Sequence, residues 1–186
     1  MASVPVELAP GVPLQPLTLD QYERMVEHGV LGGDDRVELL DGLLVSVSPQ
    51  GAFHAATLTR LTDWAYDAID RSRFAIRVQV PLRCLPASEP EPDLALVPAG
   101  DYVAQHPSTA ALVVEVSVSS APVDLGVKRS VYARSGVAEY WVVRPIAGVI
   151  RVHRDRRADD YAVVEEVTTA TFAGATLDVA DLPALP

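Results

Sequence analysis

Two carboxylates set against apolar strand runs constrain this chain more than any other feature. Pro92-Asp93-Leu94-Ala95-Leu96-Val97 puts Asp93 at the entrance of one run, and Leu112-Val113-Val114-Glu115-Val116 puts Glu115 inside a second, 22 residues later. Continuous apolar runs of this length read as central strands. A charge inside one is costly unless something pairs with it. Two carboxylates at adjacent strand ends repel, and a divalent cation resolves that repulsion. Lys128 follows 13 residues later and is the only lysine among 15 basic residues. In a chain that otherwise uses arginine, a lone lysine points to a need for a compact, rotatable donor. Each residue also has an ordinary reading. Asp93 is then a solvated strand-entrance carboxylate, Glu115 the outer face of an edge strand, and Lys128 a surface lysine.

The remaining pattern reads as follows. Thr18 caps a helix running to Glu27, with Gln21 in the capping-box position. Val37 to Val47 forms two short strands around Asp41-Gly42, a type I′ hairpin signal. A helix spans His54 to Asp70, with Leu58, Leu61, Ala65 and Ile69 on one face. Phe74 to Leu85 alternates as a half-buried strand. Pro86 to Pro92 is a loop, and Leu94 to Val97 and Leu112 to Val118 are central strands. Asp124 to Ser135 is a helix closed by Gly136. Tyr140 to Val143 and Val149 to His153 are strands, Arg154 to Asp160 is a charged turn, and Tyr161 to Val167 and Ala175 to Val179 complete the sheet. The expected fold class is α/β (α+β), a mixed β-sheet flanked by helices. Residues 1–16 are expected to be a flexible arm and residues 17–186 one domain.

Composition excludes several classes. Cys84 is the single cysteine, so no internal disulfide or cysteine metal cluster forms. The four histidines are scattered, which argues against zinc. No serine-hydrolase elbow, P-loop or dinucleotide fingerprint occurs. No apolar run reaches the length of a membrane helix and the N-terminus lacks signal-peptide character, so the expected location is the cytoplasm. The formal charge of −10 argues against simple nucleic-acid binding, although Arg71, Arg73, Arg77 and Arg83 fall on one segment.

The ordered set Glu38-Leu39-Leu40-Asp41-Gly42, Ser48-Pro49 before His54, Pro92-Asp93, Val114-Glu115-Val116, Asp124 to Lys128, and Glu139-Tyr140-Trp141 resembles the Uma family of "putative restriction endonucleases" in the PD-(D/E)XK nuclease superfamily. The resemblance spans most of the chain. It implies a restriction-endonuclease-like core, DNA as substrate, Mg²⁺ or Mn²⁺ as cofactor, and a homodimer. Asp93, Glu115 and the Val116 carbonyl are the implied metal ligands, and Lys128 the group that orients water or stabilises phosphate charge. One departure matters. Ser117 stands where Glu-x-Lys would place its lysine, so Lys128 must reach the site from the following helix.

The accessory residues read as follows. Glu38 completes the site or is a surface strand residue. His54 contacts phosphate or caps a helix. Asp124 caps the helix carrying Lys128. Tyr132 shares the Lys128 face at i+4 and packs or hydrogen-bonds near the site. Tyr140 and Trp141 are core or dimer-interface residues, the late strands offering spare apolar surface. Lys128, as a surface-helix residue, should be removable at little cost in stability. The competing function is a catalytically silent nuclease-fold dimer serving as a binding module.

Overall fold

The computed structural model describes residues 15–184, so the arm expected over residues 1–16 lies almost entirely outside the described residues. The central sheet has six strands in spatial order β3 (Phe74–Val78), β4 (Leu94–Pro98), β5 (Leu112–Val116), β6 (Glu139–Arg144), β7 (Val149–Arg156) and β8 (Tyr161–Val167). β5 and β6 are parallel and the other neighbours antiparallel. A parallel step needs a crossover. Here it is α3 (Ala121–Val123), a π-helical turn (Asp124–Lys128) and α4 (Arg129–Arg134).

Side chains alternate across a strand, so each apolar run serves two cores. Leu94, Leu96, Leu112, Val114, Val116, Trp141 and Val143 face one side, where α2 (Ala52–Ala68) contributes Leu61 and Ala65. Ala95, Val97, Val113, Tyr140 and Val142 face the other, against Val131, Tyr132 and Ala133 of α4. Burying each large apolar side chain contributes about 1.5–3 kcal/mol. Asp93 and Glu115 share the parity of Ala95 and Val113, so both belong to the face covered by the crossover. That parity delivers them to Lys128.

Two small hairpins complete the fold. β1 (Val37–Leu40) and β2 (Leu43–Ser46) turn through Asp41 and Gly42, both left-handed at φ 49 and 79, as a type I′ turn requires. The Glu89 N–H donates to the Leu39 carbonyl and ties the hairpin to the loop before β4. α1 (Leu19–Glu27) starts with the expected reciprocal capping box between Thr18 and Gln21. β9 (Thr169–Phe172) and β10 (Ala175–Asp178) form a separate hairpin that packs Ala170, Ala175 and Leu177 into the α2 core.

Several boundaries differ from those expected. β3 stops at Val78 because Gln79 turns left-handed at φ 51 and sends its N–H to the Pro92 and Asp93 carbonyls. The charged stretch after His153 is ladder, not turn. Arg154 and Arg156 pair with Val163 and Tyr161, and left-handed Asp155 bulges out between them. β9 was not anticipated, and β10 pairs with it instead of closing the main sheet. The crossover begins at Ala121, so Lys128 lies beyond its first turn. Trp141 is fully buried and 5.8 Å from Trp64, which removes it as spare surface for a dimer.

Gly42 carries a load beyond its turn. A Cβ there would meet the Pro16 Cβ at 2.4 Å and the Leu17 carbonyl oxygen at 2.9 Å, whereas one at Gly148, also left-handed, would meet nothing within 4 Å. Gly148→Ala should cost about 1 kcal/mol from backbone conformation alone. Gly42→Ala should cost roughly 2–3 kcal/mol, strain and clash combined. Urea unfolding of both variants checks this, and equal losses would mean that residues 16–17 do not pack on the hairpin.

Candidate functional site

Four elements deliver the site. Asp93 enters β4, where the preceding Pro92 biases the chain to extended backbone. Glu115 comes from β5, Glu38 from β1, and Lys128 from the end of the π-helical turn. All four are buried, at 4–6% exposure. Lys128 Nζ donates to Glu115 Oε1 at 3.0 Å and to Glu38 Oε1 at 3.1 Å. The Tyr132 hydroxyl donates to the same Glu115 oxygen at 2.6 Å. Glu115 Oε2 accepts from the Asp93 N–H at 3.4 Å, and Asp93 Oδ2 accepts from the Val116 N–H at 2.8 Å. The two carboxylates therefore cross-brace β4 and β5.

His54, in the first turn of α2, places Nε2 3.0 Å from Asp93 Oδ2. It orients Asp93 and does not cap its helix, whose N-cap is Gly51. Glu38 is not a surface residue. It anchors Lys128 and accepts the Glu91 N–H at 3.1 Å. Asp124 corrects another expectation. It lies within the π-helical turn, 3% exposed, and accepts from the Ser120 hydroxyl at 2.5 Å. Ser120 is the N-cap of α3, and it makes no side-chain capping bond. The π-helical turn thus aims both Asp124 and Lys128 inward, and the Tyr140 hydroxyl pins its Asp124 carbonyl at 2.9 Å. Tyr132 sits where i+4 spacing put it.

Gln79 escaped sequence reasoning. Its Nε2 donates to Asp93 Oδ1 at 3.3 Å. In the sequence it looked like one more outward residue of an alternating strand, and Pro81 two residues on was the only hint of an early end. The arginine-rich segment does not form a patch at the site. Arg71 and Arg73 lie over Tyr66 and Phe74, Arg77 meets His106, and Arg83 pairs with Glu23.

The site opens into a cleft of about 330 Å³ lined by Asp93, Glu115, Lys128 and His54, with Ser46, Ser48, Gln50, Ser119 and Ser120 among the rim residues. A larger hollow of about 560 Å³ lies across Glu38, but Asp93, Glu115 and Lys128 do not line it. The chemistry belongs to the smaller cleft.

Burial lifts Glu115 to about 8. Lys128 pulls it down, and Asp93, Asp124 and Glu38 push it up again. Burial also works against a charged Lys128, but Glu115, Glu38 and Asp124 outweigh it and raise its pKa. Lys128 is therefore an ammonium. Burial and Glu115 raise Tyr132 well above the ordinary phenol value, so it stays protonated and donates. Burial raises Asp124 against the pull of Ser120 and Lys128. One ammonium faces four carboxylates, and a further cation would relieve the excess. Among the described residues no group of three or more His, Cys, Asp or Glu side chains forms a metal cage. Two carboxylates on neighbouring strands still suit Mg²⁺, which keeps several waters and needs only one or two carboxylates. The donor set fits the ion.

These charges set a pH dependence. Glu115 holds its proton more tightly in the folded state than at its ordinary value of 4.5, so its stabilising contribution is full below that value and is lost as pH rises through about 8. Metal-free protein should lose stability across that window. Lys128, being buried, is not removable at little cost. Lys128→Ala should destabilise by roughly 3–5 kcal/mol at alkaline pH, because it leaves buried carboxylates uncompensated. The loss should shrink near pH 5, where Glu115 carries its proton. Urea unfolding at the two pH values measures this, and a pH-independent loss would mean that Lys128 does not compensate Glu115.

Comparison with known proteins adds the family. A solved structure from Anabaena variabilis ATCC 29413, described as a "putative nuclease belonging to DUF820", matches with a TM-score of 0.71 at 14% identity, covering 89% of this chain and 97% of that one. At that identity the likeness speaks for the fold alone. No curated protein matches the chain. The Uma2 family model, described as "Putative restriction endonuclease", matches residues 19–181. The chain that assembles this carboxylate–lysine cluster belongs to the Uma2 family.

Proposed function

We propose that the chain is a Mg²⁺- or Mn²⁺-dependent endodeoxyribonuclease that hydrolyses DNA phosphodiester bonds in the cleft around Asp93, Glu115 and Lys128. The observation that carries this reading is convergence. Residues 38, 93, 115 and 128 arrive from separate elements, and each lies within hydrogen-bond distance of another at one buried point. A structural ion pair needs two charges, not an ammonium beside two carboxylates with a third backed against them.

Asp93, Glu115 and the Val116 carbonyl would hold the ion. When bound, it supplies positive charge that polarises the scissile phosphate and acidifies water. The protein's own groups do the positioning. Tyr132 and Lys128 fix the plane of Glu115, and His54 and the Val116 N–H fix Asp93. The Lys128 ammonium orients the attacking water or stabilises charge on the phosphate oxygens. Glu38 acts through Lys128, steadying its Nζ. Serines and Gln50 on the rim offer uncharged hydrogen-bond partners to a polyanion.

The second reading, a catalytically silent nuclease-fold module, has two observations in its favour. Lys128 is engaged by Glu115 and Glu38 together, and the chain carries −10 charge overall. A homodimer is part of both readings through the family resemblance. With Trp141 buried, its surface would be elsewhere, and the outer edge of β8, with Val163 and Val164 each 38% exposed, is the candidate.

Cleavage of supercoiled and linear DNA with Mg²⁺ or Mn²⁺ tests the proposal. Wild type should nick or linearise plasmid only with divalent metal. Lys128→Arg, which keeps the charge but not the compact geometry, should lose activity on the order of 10²-fold. Metal-dependent cleavage by wild type with an unaffected Lys128→Arg would remove lysine from the mechanism, and no cleavage by wild type would favour the silent module.

A further inference from the structure

Gln79 stands one residue past β3 with φ 51. Glycine adopts that conformation freely, Asn and Asp tolerate it, and other residues are strained in it. Among the described residues three others share it without being glycine. Asp41 and Ala173 precede a glycine in hairpin turns, and Asp155 forms the bulge in β7. Gln79 belongs to no hairpin turn and is not of a tolerant type.

Its side chain meets Asp93. Asp93 Oδ2 is already held twice, by His54 Nε2 at 3.0 Å and by the Val116 N–H at 2.8 Å. The other oxygen, Oδ1, accepts from Gln79 Nε2 at 3.3 Å. The Gln79 N–H also engages the Pro92 and Asp93 carbonyls at 3.2 Å, so backbone and side chain both hold the β4 entrance. Gln79 is exposed, so burial of its side chain does not account for it.

We infer that Gln79 is a positioning residue for Asp93, its side-chain amide fixing the carboxylate in the orientation that divalent-cation binding requires. This rests on the metal-dependent reading of the site. Partners that orient a metal-ligating carboxylate are worth about 10–100-fold in metal affinity or activity. The amide suits the task, since it donates to the carboxylate without adding charge to a site whose balance is already set by Lys128.

The test is Gln79→Gly, which relieves the backbone and removes the amide in one step. Ala173→Gly, at φ 50 in the β9–β10 turn, is the matched control for strain relief alone. Gln79→Asn tolerates the conformation but is too short to reach Oδ1. Metal-free Gln79→Gly should melt at or above the wild-type temperature, as Ala173→Gly should. Its Mn²⁺ affinity by calorimetry should fall about 10–100-fold, and kcat for DNA cleavage should fall with it while KM stays close to wild type. Gln79→Asn should follow Gln79→Gly in both readouts. Wild-type Mn²⁺ affinity and kcat in Gln79→Gly would overturn the positioning role alone. A lower melting point in Gln79→Gly but not in Ala173→Gly would show that Gln79 serves the fold, and would overturn it too. A wild-type protein that neither binds Mn²⁺ nor cleaves DNA would overturn the metal-dependent reading, and this inference with it.

Discussion

The Lys128 ammonium is the contact on which the rest of the site depends. It is nearly removed from water, and its charge is answered by Glu115 and Glu38 at 3.0 and 3.1 Å. Taking such charges out of water costs several kcal/mol per ion, and only good geometry offsets it. That geometry needs β1, β5 and the crossover in register at once, although the three residues lie far apart in the chain. The site is therefore a constraint on the fold as well as a product of it. Tyr132, Tyr140 and Ser120 can be understood as the scaffold that holds the π-helical turn, and with it Lys128 and Asp124, against the sheet.

Much of this was legible in the sequence because burial and charge conflict there. Glu115 inside an apolar run has no ordinary explanation once that run is central, and β5 is central. Strand parity then puts Asp93 and Glu115 on one face, a consequence of period-two geometry that needs no coordinates. The Thr18–Gln21 box, the Asp41-Gly42 turn and the face of α2 were legible for local reasons, since each depends on residues within one or two turns of chain.

What escaped depends on long-range geometry. Nothing near Gln79 announces φ 51, because the conformation is imposed by the β4 entrance across the sheet. Asp124 looked like a cap because Asp before a helix usually is one. It proved to be interior because the helix begins earlier and widens into a π-helical turn. The Arg154–Arg156 stretch looked like a turn because charge usually marks one, but an edge region of antiparallel sheet leaves one side in water and accepts arginine there. The clustering of Arg71, Arg73, Arg77 and Arg83 in sequence was misleading for a similar reason. Each found a local aromatic, histidine or carboxylate partner, and contiguity in the chain did not become contiguity on a surface.

The charge of −10 bears on the proposed chemistry through locality. Solvent ions screen exposed charges beyond about 8–10 Å, so acidic residues on the far side of the sheet contribute little to the potential inside the cleft. The nearby carboxylates do contribute, and they outnumber Lys128. A polyanion is repelled from such a cleft until a divalent cation reverses the local sign. On the proposed reading, the excess carboxylate is thus a gate. It makes productive DNA contact conditional on metal and leaves little affinity without it. The uncharged serines and Gln50 at the rim fit the same logic, since they can hydrogen-bond phosphate without holding DNA against a site that has no cation.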